Sequence, residues 1–175
     1  MNIITRFTVA SDEGIDVLLF LTKKLAEEKF LGLLEPDILA TYIAQDFNKK
    51  TLVTELNSMS SQWLVVYADR KPVGYARVTS KGKKPVLLEN KRAIRIADFA
   101  ILKEYSAIEI KKALFEKCLS ICKHLDGVWI NEYFSNPCID FFENHGFVRQ
   151  PEAYLLDELE LPSVSLVRSN NAEKK

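Results

Sequence analysis

The most constraining stretch of this chain runs from Ala93 to Ile130, where an alternating segment, a helical stripe and a second apolar segment follow without a break. Ala93 to Leu102 is rich in isoleucine and alternates with Arg95 and Asp98, the period of a strand. Ile110, Leu114, Cys118, Ile121 and Leu125 then recur at helical spacing and form one apolar stripe. Val128 to Ile130 resumes an extended pattern. A strand–helix–strand unit of this kind commits the chain to a sheet with helices on its faces.

The segments on either side agree with that reading. Ile3 to Val9 alternates as a first strand. Ser11 and Asp12 supply N-cap oxygens ahead of Val17, Leu18, Leu21 and Leu25. A second helix is expected after Pro36, with Ile38, Leu39, Tyr42 and Ile43 on one face, and a shorter third from Thr51 to Ser58. Trp63 to Tyr67 and Val73 to Val78, separated by Asp69, Arg70, Lys71 and Pro72, read as an antiparallel hairpin. Ser80 to Lys84 is a basic loop tip, read as solvated surface or as a contact for the 3′-phosphate of a nucleotide. Later, Asn136 can cap a short helix, Pro137 fits its first position, and Gly146 suits the position after its end. Cys138, Ile139, Phe141 and Phe142 are expected on its buried face. Tyr154 to Leu156 and Ser163 to Val167 are the closing strands. The reading is one domain over residues 1–168, with a polar tail from 169 to 175.

Charge and cysteine usage narrow the class. The 24 basic and 24 acidic side chains cancel, so no long-range field recruits nucleic acid or a membrane. No apolar run approaches the roughly 20 residues that span a bilayer. The first residues lack the zones of a signal peptide. The three cysteines, Cys118, Cys122 and Cys138, have no CxxC spacing and read as reduced thiols. Cys118 and Cys122 are expected in the core and Cys138 beside the site. His124 and His145 are expected near helix ends, outside any metal-binding spacing, so no metal is expected. The expected location is the cytoplasm.

Two pieces of sequence carry a family resemblance. ADFAILKEYSAIEIKKALFEKC resembles the strand, turn and long helix of the acetyl-CoA half of the GNAT superfamily, and NPCIDFFENHGFVR resembles its closing short helix ending in Gly-Phe. TELNSMSSQWLVVYADRKPVGYARV looks like the segment before that core in bacterial spermidine/spermine acetyltransferases. The resemblance covers roughly residues 5 to 168. It implies the GNAT acyl-CoA N-acyltransferase fold: a mixed α/β (α+β) architecture with a central, twisted, mostly antiparallel sheet and helices on both faces. It also implies an acetyl-CoA co-substrate and a primary amine of a small molecule, such as a polyamine, as acceptor. A homodimer is the assembly to test. Two other functions are expected as alternatives: a non-catalytic GNAT-like domain that binds a ligand or partner, and an acyltransferase for a protein or peptide amine.

The same resemblance assigns residues. The fourth and fifth strands part, and backbone groups of Phe99, Ala100 and Ile101 pair with the pantetheine amides. The loop Ser106, Ala107, Ile108, Glu109, Ile110, Lys111 and Lys112 wraps the pyrophosphate, since a helix start leaves amides unpaired. Ser135, Asn136, Cys138 and Phe142 line the thioester. The sequence departs from the family at its most used positions. Ser106, Glu109 and Lys111 stand where the family loop has Arg or Gln, Gly, and Gly or Ala. Phe142 stands where it has its tyrosine acid, and Ser135 where it has an asparagine, which Asn136 replaces after a one-residue shift. Tyr133 and Glu132 are the stand-ins for acid and base; the alternative is a strand-end tyrosine packed at the surface beside a solvated carboxylate. Asp98 is expected either to face a cleft as base or amine ligand, or to pair with a cation such as Arg95.

Overall fold

The structure is a computed structural model that describes residues 1–152, 154–156 and 159–170. The chain divides into two compact units, Met1–Val78 with Asp98–Leu119, and Thr79–Ala97 with the chain from Ser120 onward.

The first unit opens on β1 (Ile3–Phe7), followed by α1 (Asp12–Phe30), α2 (Pro36–Asp46) and α3 (Lys49–Leu56). α1 starts where Ser11, in extended backbone, accepts from the Gly14 N–H, with Asp12 and Glu13 complementing the positive helix end. Pro36 stands at the start of α2, and the Asn48 side chain accepts from the Thr51 N–H to start α3. The third helix therefore begins two residues earlier than its apolar pattern, because the cap fixes the first turn. β2 (Ser61–Ala68) and β3 (Lys71–Thr79) form the expected hairpin. Its two-residue turn holds Asp69 at φ 47° and Arg70 at φ 70°, the left-handed pair that matches the twist of a hairpin. β1 pairs antiparallel with β2, from Ile3 opposite Ala68 to Phe7 opposite Leu64. The strand order β1-β2-β3-β4 ends on the later half of β4 (Ala93–Ile101). Leu18, Leu21 and Leu25 of α1 and Leu52 of α3 pack on Trp63, Val65, Tyr75 and Leu102. Tyr42 meets Phe30 and Phe47 edge-on, which holds α2 to its neighbours.

α4 (Ile108–Cys122) follows β4 through a 3-10 turn at Lys103–Tyr105. Ile110, Leu114, Phe115, Cys118 and Cys122 are its fully buried positions. The expected stripe differs at its end: the helix stops at Cys122, Leu125 lies beyond it, and Cys122 takes the buried position expected of Ile121.

In the second unit the first half of β4 runs parallel to β5 (Gly127–Tyr133), with Ala93, Ile94 and Arg95 opposite Gly127, Val128 and Trp129. That ladder ends at Arg95. β5 pairs antiparallel with β8 (Leu161–Ser169) along its whole length. β6 (Val148–Arg149) and β7 (Tyr154–Leu156) pair with the two ends of β8. Leu88 packs on Trp129 and Val167, and Gly127 makes room for it, since a Cβ there would lie 2.6 Å from Leu88 Cδ2. α5 (Cys138–Glu143) is short and ends in a Schellman pattern. The Phe147 N–H bonds the Phe142 carbonyl, the Gly146 N–H bonds the Glu143 carbonyl, and Gly146 sits at φ 88°. At the other end the expectation shifts by one: Pro137 takes the cap position and the Asn136 Oδ1 accepts from the Cys138 N–H at 2.8 Å. The architecture is a mixed α/β, mostly antiparallel one. Residues 171–175, most of the expected tail, lie outside the described residues.

Candidate functional site

In the first unit the segment joining β4 to α4 is built without glycine. The Leu102 N–H bonds the Val73 carbonyl at 2.8 Å, and the Lys103 N–H donates to Glu28 Oε2 at 3.0 Å. Lys24 and Glu104 add an exposed ion pair at 3.3 Å. The helix then begins on the Ala107 carbonyl, which accepts from the Ile110 and Lys111 N–H groups. Ser106, Ala107, Ile108 and Glu109 are exposed while Ile110 points into the core. The helix start is therefore solvent-exposed and carries the exposed Glu109 carboxylate beside the exposed Lys112. Oriented amides suit an anion, and the carboxylate opposes one. A diphosphate fits this turn only with Glu109 held in solvent, the position its side chain takes.

β4 carries Phe99, Ala100 and Ile101 in the same unit. Phe99 is buried and meets Phe115 edge-on at 6.1 Å. β3 approaches closely here: a Cβ on Gly74 would lie 2.6 Å from the Ala100 carbonyl oxygen. Asp98 is paired, but its partner is Arg77 and not Arg95. The Arg77 Nε donates to Asp98 Oδ2 at 2.9 Å, and Nη1 lies 3.5 Å from Glu55 Oε2. The guanidinium stacks over Trp63 at 5.4 Å. Burial opposes the arginine's charge, but Asp98 foremost, with Tyr75, Glu55 and Tyr42, holds its pKa above the ordinary value. One guanidinium thus serves two half-buried carboxylates. β4 reaches Arg77 from the neighbouring β3, which is why the nearer basic residue in sequence, Arg95, is not the partner.

In the second unit Glu132 and Tyr133 are both buried, at 2% and 7% exposure, which overturns the surface reading of the pair. The cause is β8, which covers β5 to its last residue by pairing Ser163 with Tyr133. Ser135 is exposed, Asn136 is buried with its side-chain oxygen engaged as a cap, and Cys138 is half-buried. Phe142 is fully buried between Phe141 and Phe147, so its ring is a core element. His145 stacks on Phe141, and its Nδ1 lies 2.7 Å from the Phe141 carbonyl, as expected at a helix end. Burial raises the Cys122 thiol to about 12, in keeping with a core cysteine.

The sequence reading missed a polar face on β5 and β8. Asn131 stands opposite Ser165, and Tyr133 opposite Ser163. Asn131, Ser163 and Ser165 are all buried. A signal was available: Trp129, Asn131 and Tyr133, and likewise Ser163 and Ser165, alternate as the polar-capable positions of apolar strands. Glu55 and Arg77 were also missed, and nothing local marks them.

No family model matches the sequence. Solved structures do match the fold along nearly the whole chain. The PaiA N-acetyltransferase of Thermoplasma acidophilum, solved with coenzyme A, is 15% identical with a TM-score of 0.77, covering 97% of this chain and 99% of its own. The chain has the fold of the GCN5-related N-acetyltransferases. One such protein from Rhodopseudomonas palustris is 13% identical with a TM-score of 0.69, covering 97% and 96%. A chain of the NatC complex, solved with a Gag peptide and CoA, is 18% identical with a TM-score of 0.61, covering 97% and 99%. The sequence resemblance and the fold agree, so the GNAT architecture stands.

Proposed function

We propose that this chain is an N-acyltransferase that moves an acetyl group from acetyl-CoA to the primary amine of a small molecule, with residues 1–168 working as one catalytic domain. The observation that carries the reading is the β4–turn–α4 unit, whose helix start is solvent-exposed, within a fold shared with the CoA-bound PaiA N-acetyltransferase. In this reading the backbone of Phe99, Ala100 and Ile101 binds the pantetheine arm. The turn Ser106–Lys112 takes the pyrophosphate, with Lys112 offsetting part of the Glu109 charge. CoA supplies the activated acyl thioester; the chain positions it and manages the proton. The amine nitrogen forms a bond to the thioester carbon, the carbon–sulfur bond breaks, and the nitrogen gives up one proton while sulfur gains one. Tyr133 donates to sulfur, and Glu132, which alternates onto the opposite face of β5, accepts the proton from nitrogen through a relay of water. General acid–base help of this kind contributes about 10²–10⁴-fold, so an enzyme with a poor acid is slow and not inactive.

The half-buried Asp98 carboxylate, only one of whose oxygens takes the Arg77 Nε bond, favours a cationic acceptor such as a polyamine. Asp98 therefore acts as a charge that attracts the acceptor, since Arg77 occupies one of its oxygens. A peptide amine is the second reading, supported by the likeness to the peptide-bound NatC chain.

Calorimetric titration with acetyl-CoA and free CoA tests the proposal, followed by turnover with spermidine, amino acids and a short peptide. Micromolar binding of both and turnover with any amine supports it. No binding sinks it and leaves the non-catalytic reading. Replacing Glu109 by Gln is expected to tighten CoA binding several-fold at low salt and less at high salt, because it removes a like charge at a screened surface. Unchanged affinity at low salt would place the pyrophosphate elsewhere.

A further inference from the structure

β5 is buried on both faces. Val128, Ile130 and the buried Glu132 face one way, opposite Arg168, Leu166 and Val164 on β8. Trp129, Asn131 and Tyr133 face the other way, opposite Val167, Ser165 and Ser163. Asn131 is 4% exposed and Ser165 7%. Among the described residues, neither Asn131 Oδ1 nor Ser165 Oγ has a hydrogen-bond partner, and the Trp129 Nε1 on the same face has none either. Buried polar atoms are nearly always satisfied, and an orphan acceptor costs stability. Two adjacent orphan oxygens on paired strands are a pattern that packing alone does not favour.

We infer that Asn131 and Ser165 seat the acceptor's amine nitrogen. The inference rests on the acyltransferase reading and specifies how the nucleophile is held. Directly opposed residues of an antiparallel pair have Cβ atoms about 4.5–5.5 Å apart, so one nitrogen reaches both side-chain oxygens. A primary amine carries two N–H donors, one for each. Both oxygens are uncharged. The seat therefore favours the neutral amine over the ammonium, whose burial among uncharged groups is costly. The neutral amine is the form with a lone pair to attack a thioester.

The test is a titration of ¹⁵N-labelled protein with butylamine, spermidine and glycylglycine, read at the Asn131 side-chain amide and the Ser163 and Ser165 backbone amides. At least one amine is expected to shift these signals saturably. Ser165→Ala and Asn131→Leu are expected to weaken that amine at least tenfold and leave acetyl-CoA affinity within twofold. They are also expected to raise Tm by about 2–4 °C each, because they remove orphan polar atoms that only the ligand satisfies. A merely structural role for the pair gives the opposite sign, a fall in Tm. The inference is overturned if none of the three amines moves these signals, or if the Ser165→Ala protein keeps wild-type amine affinity. It is equally overturned if Tm falls in Ser165→Ala, as expected when the two oxygens are satisfied by each other or by water. Should Asn131→Leu fail to fold, the wild-type titration and Ser165→Ala decide alone. Amine binding without acetyl-CoA binding sinks the acyltransferase reading and spares this seat. Acetyl-CoA binding without amine shifts does the reverse.

Discussion

Arg77 is the residue on which the first unit's electrostatics turn. Its guanidinium bonds Asp98, approaches Glu55 and stacks on Trp63, with each charged side chain about a quarter exposed or less. Arg77→Gln removes the cation that two carboxylates share, whereas Asp98→Asn leaves Arg77 with Glu55. The first change is therefore expected to cost more, about 2–3 kcal/mol against about 1 kcal/mol, after discounting for partial solvent screening. Urea unfolding of both variants measures the difference, and equal losses would show that Glu55 does not take part. A second residue-scale outcome concerns thiols. Cys118 and Cys122 are buried and Cys138 is half-buried. One thiol is expected to react quickly with an aromatic disulfide reagent at pH 8, and Cys138→Ser should remove it.

At the scale of elements, β3 and β4 approach each other closely. Gly74 lies under the Ala100 carbonyl, and a methyl there must displace backbone, because no flexible side-chain end can yield. Gly74→Ala is expected to destabilise by about 1–3 kcal/mol, the usual range for overpacking. It should also weaken acetyl-CoA binding, since the displaced carbonyl belongs to the strand proposed to hold the pantetheine arm. Full CoA affinity in a destabilised Gly74→Ala protein would separate β4 from the cofactor. Helix starts behave more simply. Asn48→Ala removes the oxygen that accepts from the Thr51 N–H and is expected to cost about 1 kcal/mol without touching the site.

For the whole molecule the pH limits follow from two groups. The Cys122 thiol is raised by burial from 9.0 to about 12 in the folded chain. A raised acid contributes stability that is fully present below its unfolded value and lost as pH rises through the folded one. Alkaline loss of stability is therefore expected between about pH 9 and 12, and Cys122→Ala should flatten that limb while lowering stability at neutral pH. On the acid side the Glu143 carboxyl is held below 4.5 by its hydrogen bond from Arg149. Its contribution is present above pH 4.5 and lost as pH falls below it. The pair is exposed, so Arg149→Gln should change the acid limb only slightly. Among the described residues no helix is long and apolar enough to cross a membrane.

The sequence by itself determined the order and type of nearly every element, because periodicity and punctuation are local. Ser11, Pro36 and Gly146 marked helix ends that the structure bears out, and the β2–β3 break fell on the two left-handed residues of the turn. The GNAT resemblance carried from there to the fold. Tertiary structure alone decided which groups meet. Asp98 found Arg77 across a strand pair rather than Arg95 three residues away, since side chains meet across a sheet by register and not by separation in the chain. Tyr133 and Glu132 looked like strand-end surface groups until β8 covered them from thirty residues further on. The same pairing set Asn131 against Ser165, a juxtaposition with no local trace, because register between distant strands is fixed only once the sheet has closed.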